Sequence, residues 1–416
     1  MWLLDKMLRR LIRSGELVVT EADGKRHIYG APEPGRARIS IRFTDKGAPD
    51  AIARNPRLGA AEAWMDGRLV IDEGDILALL DLMRANAAWE KGATGLEGSL
   101  GKRTLHALAS RFDRFNWERR SKRNVAHHYD LDDRLYNLFL DRDRQYSCAY
   151  FPVPDIGLDR AQEAKKAHIA AKLALAPGRR VLDIGCGWGG MALYLHRIAD
   201  VDVLGITLSE EQLKVARRRA DEAGVADRVR FALLDYRAVE GRFDRIVSVG
   251  MFEHVGPPHY RHFFAKCRDL LTEDGVMLLH TIGRMGKPGT TDAFTRKYIF
   301  PGGYIPALSE IVAASEATKL IAADIETLRL HYALTIEHWY ARTIAARDRI
   351  VTLYDERFYR MWLFYLAGAI ATFRHGGMCN YQLQYIRRRD ALPFTRDYMT
   401  EAEAALRAEA KAKVVA

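Results

Sequence analysis

VLDIGCGWGG, residues 181–190, is the stretch from which the rest of the chain is read. Val181 and Leu182 end an apolar run that reads as a buried strand, and Asp183 closes it. Gly185, Gly187 and Gly189 then let the backbone turn tightly against a ligand before a helix begins near Gly190. In an α/β sheet, a glycine-rich turn from strand to helix holds a nucleotide-like molecule; a purely structural turn is the alternative. No Gly-Lys-Ser/Thr follows, so this is not a triphosphate loop, and alternate glycines do not give the GxGxxG spacing of a dinucleotide site.

Working outward, strands and helices alternate. MALYLHRIA is the helix after the turn, VDVLGI the second strand, and SEEQLKVARRRADEAG the second helix, with Ser209 as N-cap and Gln212 at the reciprocal capping position. VRFALLD, FDRIVSVG and GVMLLHTIG are further strands, with the helix YRHFFAKCRDLL before the last. This predicts an α/β fold, a mostly parallel sheet with helices on both faces. Ligands in such sheets sit at the carboxyl ends of the strands, where strand order reverses. Asp183 and the three glycines stand at one such end, and Thr207 and Gln212 at the next, where an acidic residue for ribose is absent. Asp235 and Tyr236 follow strand three and are placed to meet an adenine. Glu253 and His254 lie just past strand four and His280 ends strand five. Glu253 and His280 together resemble acid–base machinery, whereas His254 is expected to point elsewhere. Residues 308–320 read as helical. Residues 328–373 read as two long aromatic-rich helical segments broken near Asp355, suited to wall an apolar pocket. CNYQLQYIRR reads as a closing strand, and a frayed helix ends the chain.

Before this domain, residues 1–110 read as a small N-terminal α+β domain. Its first helix places Trp2, Leu3, Leu4, Met7, Leu8 and Leu11 largely on one face beside Lys6, Arg9 and Arg10, a pattern for docking on lipid or for packing on its own domain. HIYG, ARISIRF and GRLVIDEG read as short strands, 76–89 as a helix, and 91–101, with four glycines, as a linker. From Lys102 to Arg123, eight basic residues stand against two acidic ones and are interleaved with Phe112, Phe115 and Trp117. Such a segment suits an anionic headgroup layer or RNA, or is a solvated basic face. The domains are therefore 1–110, a connecting and cofactor-covering segment 111–159, a catalytic domain 160–390 with a helical insertion at about 305–373, and a tail 391–416.

Composition narrows the class. The 416 residues are 48% hydrophobic, as in a folded soluble protein, and the net charge of +10 points to an anionic partner. Four cysteines without a CxxC pair fit a reducing compartment. Acid and base interrupt the N-terminus too early for a signal peptide, and the longest apolar run, thirteen residues at 361–373, is too short to span a bilayer. His127 and His128 are adjacent and cannot form an i,i+4 metal pair, so no metal is expected. No Asn/Asp-Pro-Pro-Tyr clamp follows strand four, which argues against a nucleic-acid substrate. Cys148, in YSCAYF, has no neighbouring base to activate it and reads as polar lining of a small pocket.

HHYD (127–130), YSCAYF (146–151), VLDIGCGWGG (181–190), GITLSEEQ (205–212), SVGMFEHVG (248–256), LLHTIG (278–283) and KYIFPGGYIP (297–306) stand in order. Asp183 with its alternate glycines resembles the first motif of S-adenosylmethionine-dependent methyltransferases, and the ordered set resembles the cyclopropane-fatty-acyl-phospholipid synthase family, which includes the mycolic acid methyltransferases. Two departures stand out. Leu131-Asp132-Asp133-Arg134 follows HHYD where the family usually has a Gly-Asn pair, and Arg144-Gln145 precedes Tyr146 where Leu/Met-Thr is common. Both bear on the lid over the cofactor.

The resemblance implies a Rossmann-like class I fold with a seven-stranded sheet and a helical lipid-pocket insertion. It implies methyl transfer from S-adenosylmethionine to the cis double bond of an unsaturated phospholipid acyl chain through a carbocation, with proton loss to a bound bicarbonate closing the ring. By motif, the bicarbonate pocket is Cys148, Glu253, His280, Ile282 and Tyr332, and Tyr146, Ser147 and Leu208 join the cofactor contacts. It further implies a homodimer in the cytoplasm, associated peripherally with an anionic inner membrane face. A methyl-branched product, or a small-amine substrate, is the alternative within the class.

Overall fold

The computed structural model describes residues 1–92 and 133–415. The basic–aromatic segment 102–123, the HHYD motif and most of the glycine linker lie outside the described residues. The chain divides into two compact units.

The first unit gathers the N-terminal residues with 291–301 and 333–378. Its four-stranded sheet has the order β2-β1-β3-β4, with β1 at Gly15–Thr20, β2 at Arg26–Ala31, β3 at Ile39–Phe43 and β4 at Leu69–Glu73. β1 runs antiparallel to β2 and parallel to β3. The sequence reading anticipated the last three strands but not β1, whose GELVVT lacks alternation because Leu17, Val18 and Val19 are all buried. The Trp2–Leu11 helix buries Leu4 and Leu8, leaving Trp2, Leu3, Lys6, Arg9 and Arg10 exposed. Asp75 caps the Ile76–Ala85 helix by accepting from the Ala78 N–H at 2.7 Å. The long Glu356–His375 helix packs against it. Residues 333–378, read from sequence as the far part of an insertion in the catalytic domain, thus cluster with this unit.

The second unit is built on a seven-stranded sheet, order β10-β11-β9-β8-β5-β6-β7. Its strands are β5 (Arg180–Ile184), β6 (Asp202–Thr207), β7 (Val229–Leu233), β8 (Phe243–Val249), β9 (Leu271–Arg284), β10 (Ile321–Leu328) and β11 (Met378–Ile386). β5 lies parallel to β6 and β8, β6 to β7 and β8 to β9; β10 is antiparallel to β11. Side chains alternate between two cores. Leu182, Ile246, Met277 and Leu383 face one, with Phe252, Phe263 and Phe264, while Val181, Val203, Val247 and Leu278 face the other. The sequence reading missed β10, where Ala322, Ala323, Ile325 and the half-exposed Glu326 mask any apolar alternation at this sheet edge. Chain order reverses at β5, whose neighbours are β6 and β8, so the crevice between their carboxyl ends is the expected ligand position.

Candidate active site

At that switch point residues 185–188 of the glycine turn line a pocket of about 1180 Å³, counting its open mouth. Gly185, Gly187 and Gly189 have φ of +84°, +55° and +83°, values that L-residues rarely adopt. Their roles differ. A Cβ on Gly185 would come 2.8 Å from Met251 Cβ, and one on Gly189 would come 2.7 Å from the Phe231 ring. At Gly187 no atom beyond its own chain neighbours lies within 4 Å of that position. Gly187 therefore presents bare backbone to the pocket, whereas Gly189 does not line it and serves helix packing.

Around this turn the pocket takes groups from the ends of β5, β6, β7 and β8. Asp183 is 1% exposed, and its Oδ2 has no hydrogen-bond partner. Burial pushes its carboxyl up to about 7, opposed by the charge of Lys165. Thr207 donates its hydroxyl to Gln212 Oε1 at 2.9 Å, leaving the Gln212 amide nitrogen as the remaining donor at the pocket wall beside Leu208. Ser209 caps its helix by accepting from the Gln212 N–H at 3.3 Å, but the Gln212 side chain turns to Thr207 rather than closing the expected capping box. Asp235 also lines the pocket, with both oxygens held by Arg237 at 2.8 and 2.6 Å; Tyr236 stands next to it, its ring edge-on to Phe263. His254 lines the same wall, against the sequence expectation that it points elsewhere, and burial holds its imidazole down at about 4.

Tyr146 and Ser147 reach the pocket from a turn fixed by Asp141, whose carboxylate accepts from the Asp143 and Gln145 N–H groups at 3.0 and 2.8 Å. The turn forces Arg144 into a left-handed backbone, φ +57°. Arg144 pairs with Asp133 at 3.1 Å, so the two departures from the family pattern meet each other. Asp133 also accepts from Trp188 Nε1 at 3.2 Å. Beneath the turn, Gln162 donates to the Gln145 and Ser147 carbonyls. Lys165, fully buried, donates to Gln145 Oε1 at 2.5 Å and Ser147 Oγ at 2.9 Å. Burial holds this amine down at about 8.

The five residues assigned to the reaction itself do not line this pocket. Glu253 follows β8, and its Oε1 accepts from the Ile282 N–H at 2.6 Å; Oε2 is buried without a partner, and burial pushes the carboxyl up. His280 sits beside Val249 in the β8–β9 pairing, 1% exposed, and burial pushes its pKa well below the usual imidazole value. Its ring nitrogens face the Asn380 and Gln382 carboxamides at 3.0 and 3.1 Å. Cys148 is 1% exposed and directs its thiol to the Ala149 carbonyl at 3.3 Å; Tyr332 is buried at the start of the His331–Ala345 helix. Sequence reasoning passed over Gln162, Lys165, Lys172, Asn380 and Gln382. Their signal was polar residues spaced by three or four in an otherwise alanine-rich helix, and by two in β11; ordinary patterning assigns both sets to solvent.

The chain matches the family described as mycolic acid cyclopropane synthetase over residues 117–383. It is 38% identical over 356 residues to the cyclopropane-fatty-acyl-phospholipid synthase of Escherichia coli K12, covering 85% of this chain and 89% of that one. To a probable fatty acid methyltransferase of Pseudomonas putida it is 39% identical over 335 residues, 75% and 85% of the two chains. Among solved structures it resembles mycolic acid cyclopropane synthase CmaA1 complexed with SAH and CTAB, with a TM-score of 0.61 and 35% identity over 64% of this chain and 97% of that one.

Proposed function

The chain belongs to the mycolic acid cyclopropane synthetase family, and from that premise we propose that it converts cis double bonds in phospholipid acyl chains to cyclopropane rings. It is an S-adenosylmethionine-dependent methyltransferase of the Rossmann-like class I fold. The pocket fits that co-substrate: the unpartnered Asp183 oxygen awaits a donor, and a Cβ on Gly187 would stand in the pocket. Asp183, Gln212, Tyr146 and the 185–187 backbone would hold its amino-acid and ribose portions, and Asp235 and Tyr236 would adjoin its base. When bound, S-adenosylmethionine supplies a methyl group made electrophilic by its sulfonium sulfur.

The alkene is the nucleophile, so no side chain has to be deprotonated to start the reaction. The protein must exclude water from the carbocation left on the acyl chain and provide for the one proton lost as the ring closes. The observation that carries this reading is Glu253: one oxygen locked by the Ile282 N–H, the other buried and unpartnered. An anion bearing its own hydroxyl fits that vacant acceptor, as bicarbonate does, and it would supply a base beside the new methyl group. Cys148, His280 and Tyr332 complete the proposed pocket for it. Glu253 then orients the ion rather than taking the proton itself. Among the described residues no helix is long and apolar enough to cross a membrane. The exposed Trp2, Leu3, Lys6, Arg9 and Arg10 support docking on an anionic bilayer from its cytoplasmic side, and the family resemblance adds a homodimer.

The experiment is incubation with methyl-labelled S-adenosylmethionine and vesicles of an unsaturated, anionic phospholipid, followed by analysis of the released fatty acids. Labelled cyclopropane acyl chains are expected. Labelled methyl-branched chains, the product class that the Pseudomonas relative's name suggests, or no labelled lipid would overturn the ring-forming assignment.

A further inference from the structure

We infer that Gln382, held in one orientation by Lys172, sets the tautomer of His280 and makes its Nε2–H the donor at the reaction centre. The inference rests on the role of His280 proposed above and adds two positioning residues to it.

β11 presents two different faces. Cys379, Tyr381, Leu383 and Tyr385 enter the apolar core, whereas Asn380, Gln382 and Gln384 are carboxamides, each at most 1% exposed. Burying three amides is costly unless each finds partners, so this face is not a default of packing. Gln384 donates to the Lys172 carbonyl and to Tyr398 Oη. Gln382 lies between Lys172 Nζ, 2.8 Å from its Oε1, and His280 Nδ1, 3.1 Å from its Nε2. An ammonium group has donors only, so the oxygen of Gln382 must face Lys172 and its NH2 must face the histidine. Nδ1 is therefore the acceptor.

His280 is buried and neutral, so its one proton resides on Nε2. Asn380 Nδ2 stands 3.0 Å from Nε2 and 3.4 Å from the Tyr381 carbonyl; because two donors cannot face each other, this tautomer requires the Asn380 amide turned over, giving up the long Tyr381 contact and offering its oxygen to the Nε2–H. A neutral amide oxygen is a weak competitor for that N–H; an anion would form the stronger, charge-assisted bond. Lys172 is itself anchored. It pairs with Glu326, which also bonds His168 Nε2 at 2.7 Å, and His168 Nδ1 reaches Glu403 at 2.7 Å. The His168 ring stacks on Tyr150 at 4.0 Å, two residues beyond Cys148. The Leu158–Leu173 helix thus holds the imidazole through a side chain from β11.

The test uses full-length protein labelled with 15N-histidine, with the His280 signals identified by their loss in His280→Gln. Wild type is expected to show the Nε2–H tautomer. In Gln382→Glu the new carboxylate is an acceptor facing Nδ1, so the proton moves to Nδ1. Turnover should then fall roughly 10–100-fold, the range for losing a group that orients an imidazole, with cofactor affinity unchanged. Lys172→Met, which frees Gln382 to rotate, should give a mixture of tautomers and a smaller loss, and it carries the test if the glutamate variant does not fold. An Nδ1–H tautomer in wild type, or a Gln382→Glu protein with wild-type tautomer or turnover, overturns the inference. Full turnover in His280→Gln would instead overturn the role of His280, and this inference with it. An inactive His280→Gln beside an unimpaired Gln382→Glu overturns the inference alone.

Discussion

The pocket proposed for the cofactor and the buried residues Glu253 and His280 proposed for the reaction stand on neighbouring strands of one sheet, yet they are built by opposite means. The pocket relies on backbone. Two positive-φ glycines, Gly185 and Gly187, shape its floor, and the ends of β5 to β8 contribute the side chains next to them, as Thr207 and Gln212 do across five residues. The buried centre relies on side chains from distant parts of the chain. Glu253 is held from 29 residues away, His280 by Gln382 across 102, and Gln382 by Lys172 across 210. A site of the first kind is written in contiguous motifs; one of the second kind exists only after folding.

The largest effect separating the two is expected at Glu253. Replacement by Gln keeps the volume and an acceptor for the Ile282 N–H but removes the charge from the unpartnered oxygen. Cyclopropane formation should fall about 10²–10³-fold, about 3–4 kcal/mol, as for a group acting mainly in the transition state. Calorimetry should find cofactor affinity near wild type. Lost affinity with a normal rate at saturating cofactor would assign Glu253 to the pocket instead and erase the contrast.

Gly187→Val tests the opposite pole. The new side chain enters space reserved for a ligand, in a backbone conformation that costs an L-residue about 1–2 kcal/mol. Cofactor binding should weaken roughly 10–100-fold, the scale of a 1–3 kcal/mol overpacking penalty. A folded variant with unchanged affinity would remove the turn from the binding surface.

How legible each region was follows from the same difference. The five parallel strands, the Ser209 cap and the residues from Asp183 to Tyr236 were readable because strand, glycine turn and helix succeed each other within short windows. Glu253 and His280 stand out in the sequence because each follows or ends an apolar run, and the structure buries both; their part in the reaction is the proposal made above. Lys165, Lys172 and Gln382 could not: a lysine in a helix or a glutamine in a strand reads as solvent-facing until its partners are known. β10 was lost for the same reason at the sheet edge, where exposure removes the apolar signal. The division of the chain at 333 was equally invisible, because helical periodicity marks a buried face without saying what covers it.

A smaller effect tests the electrostatics of the pocket through pH. In the unfolded chain Asp183 ionises near 3.8, as an ordinary aspartate does, whereas burial in the fold makes it hold its proton to about 7. The folded state binds more protons across that window, so this group's contribution to the stability of the ligand-free protein declines as pH rises from about 4 to 7. Hydroxyl and ammonium donors on a ligand favour the carboxylate, so binding releases the proton. Affinity should rise several-fold, less than the tenfold-per-unit limit, between about pH 6 and pH 7 and then level off. Asp183→Asn should lose this dependence. The ligand's own amine titrates against both proteins and cancels in the comparison. Parallel pH profiles for the two proteins would show that Asp183 does not meet the cofactor.

The smallest effect concerns Arg144, where the pocket departs from its family pattern. Two terms act on this residue and oppose each other. Its left-handed backbone, φ +57°, costs an L-residue about 1–2 kcal/mol, which glycine avoids. Its partly buried ion pair with Asp133 at 3.1 Å contributes about 0–1 kcal/mol. Arg144→Ala removes the ion pair and keeps the strain, so it should destabilise by about 0.5 kcal/mol. Arg144→Gly removes both, but it also loosens the unfolded chain by about 0.4–1 kcal/mol, leaving it near wild type and above the alanine variant. Urea denaturation of the pair reads the difference directly, because the lost ion pair is common to both. A glycine variant no more stable than the alanine variant would mean that the Asp141 turn holds Arg144 without strain. The departure would then be a matter of charge at the pocket mouth alone, and Asp133→Asn, which retains an acceptor for Trp188 Nε1, should reproduce the whole effect of Arg144→Ala.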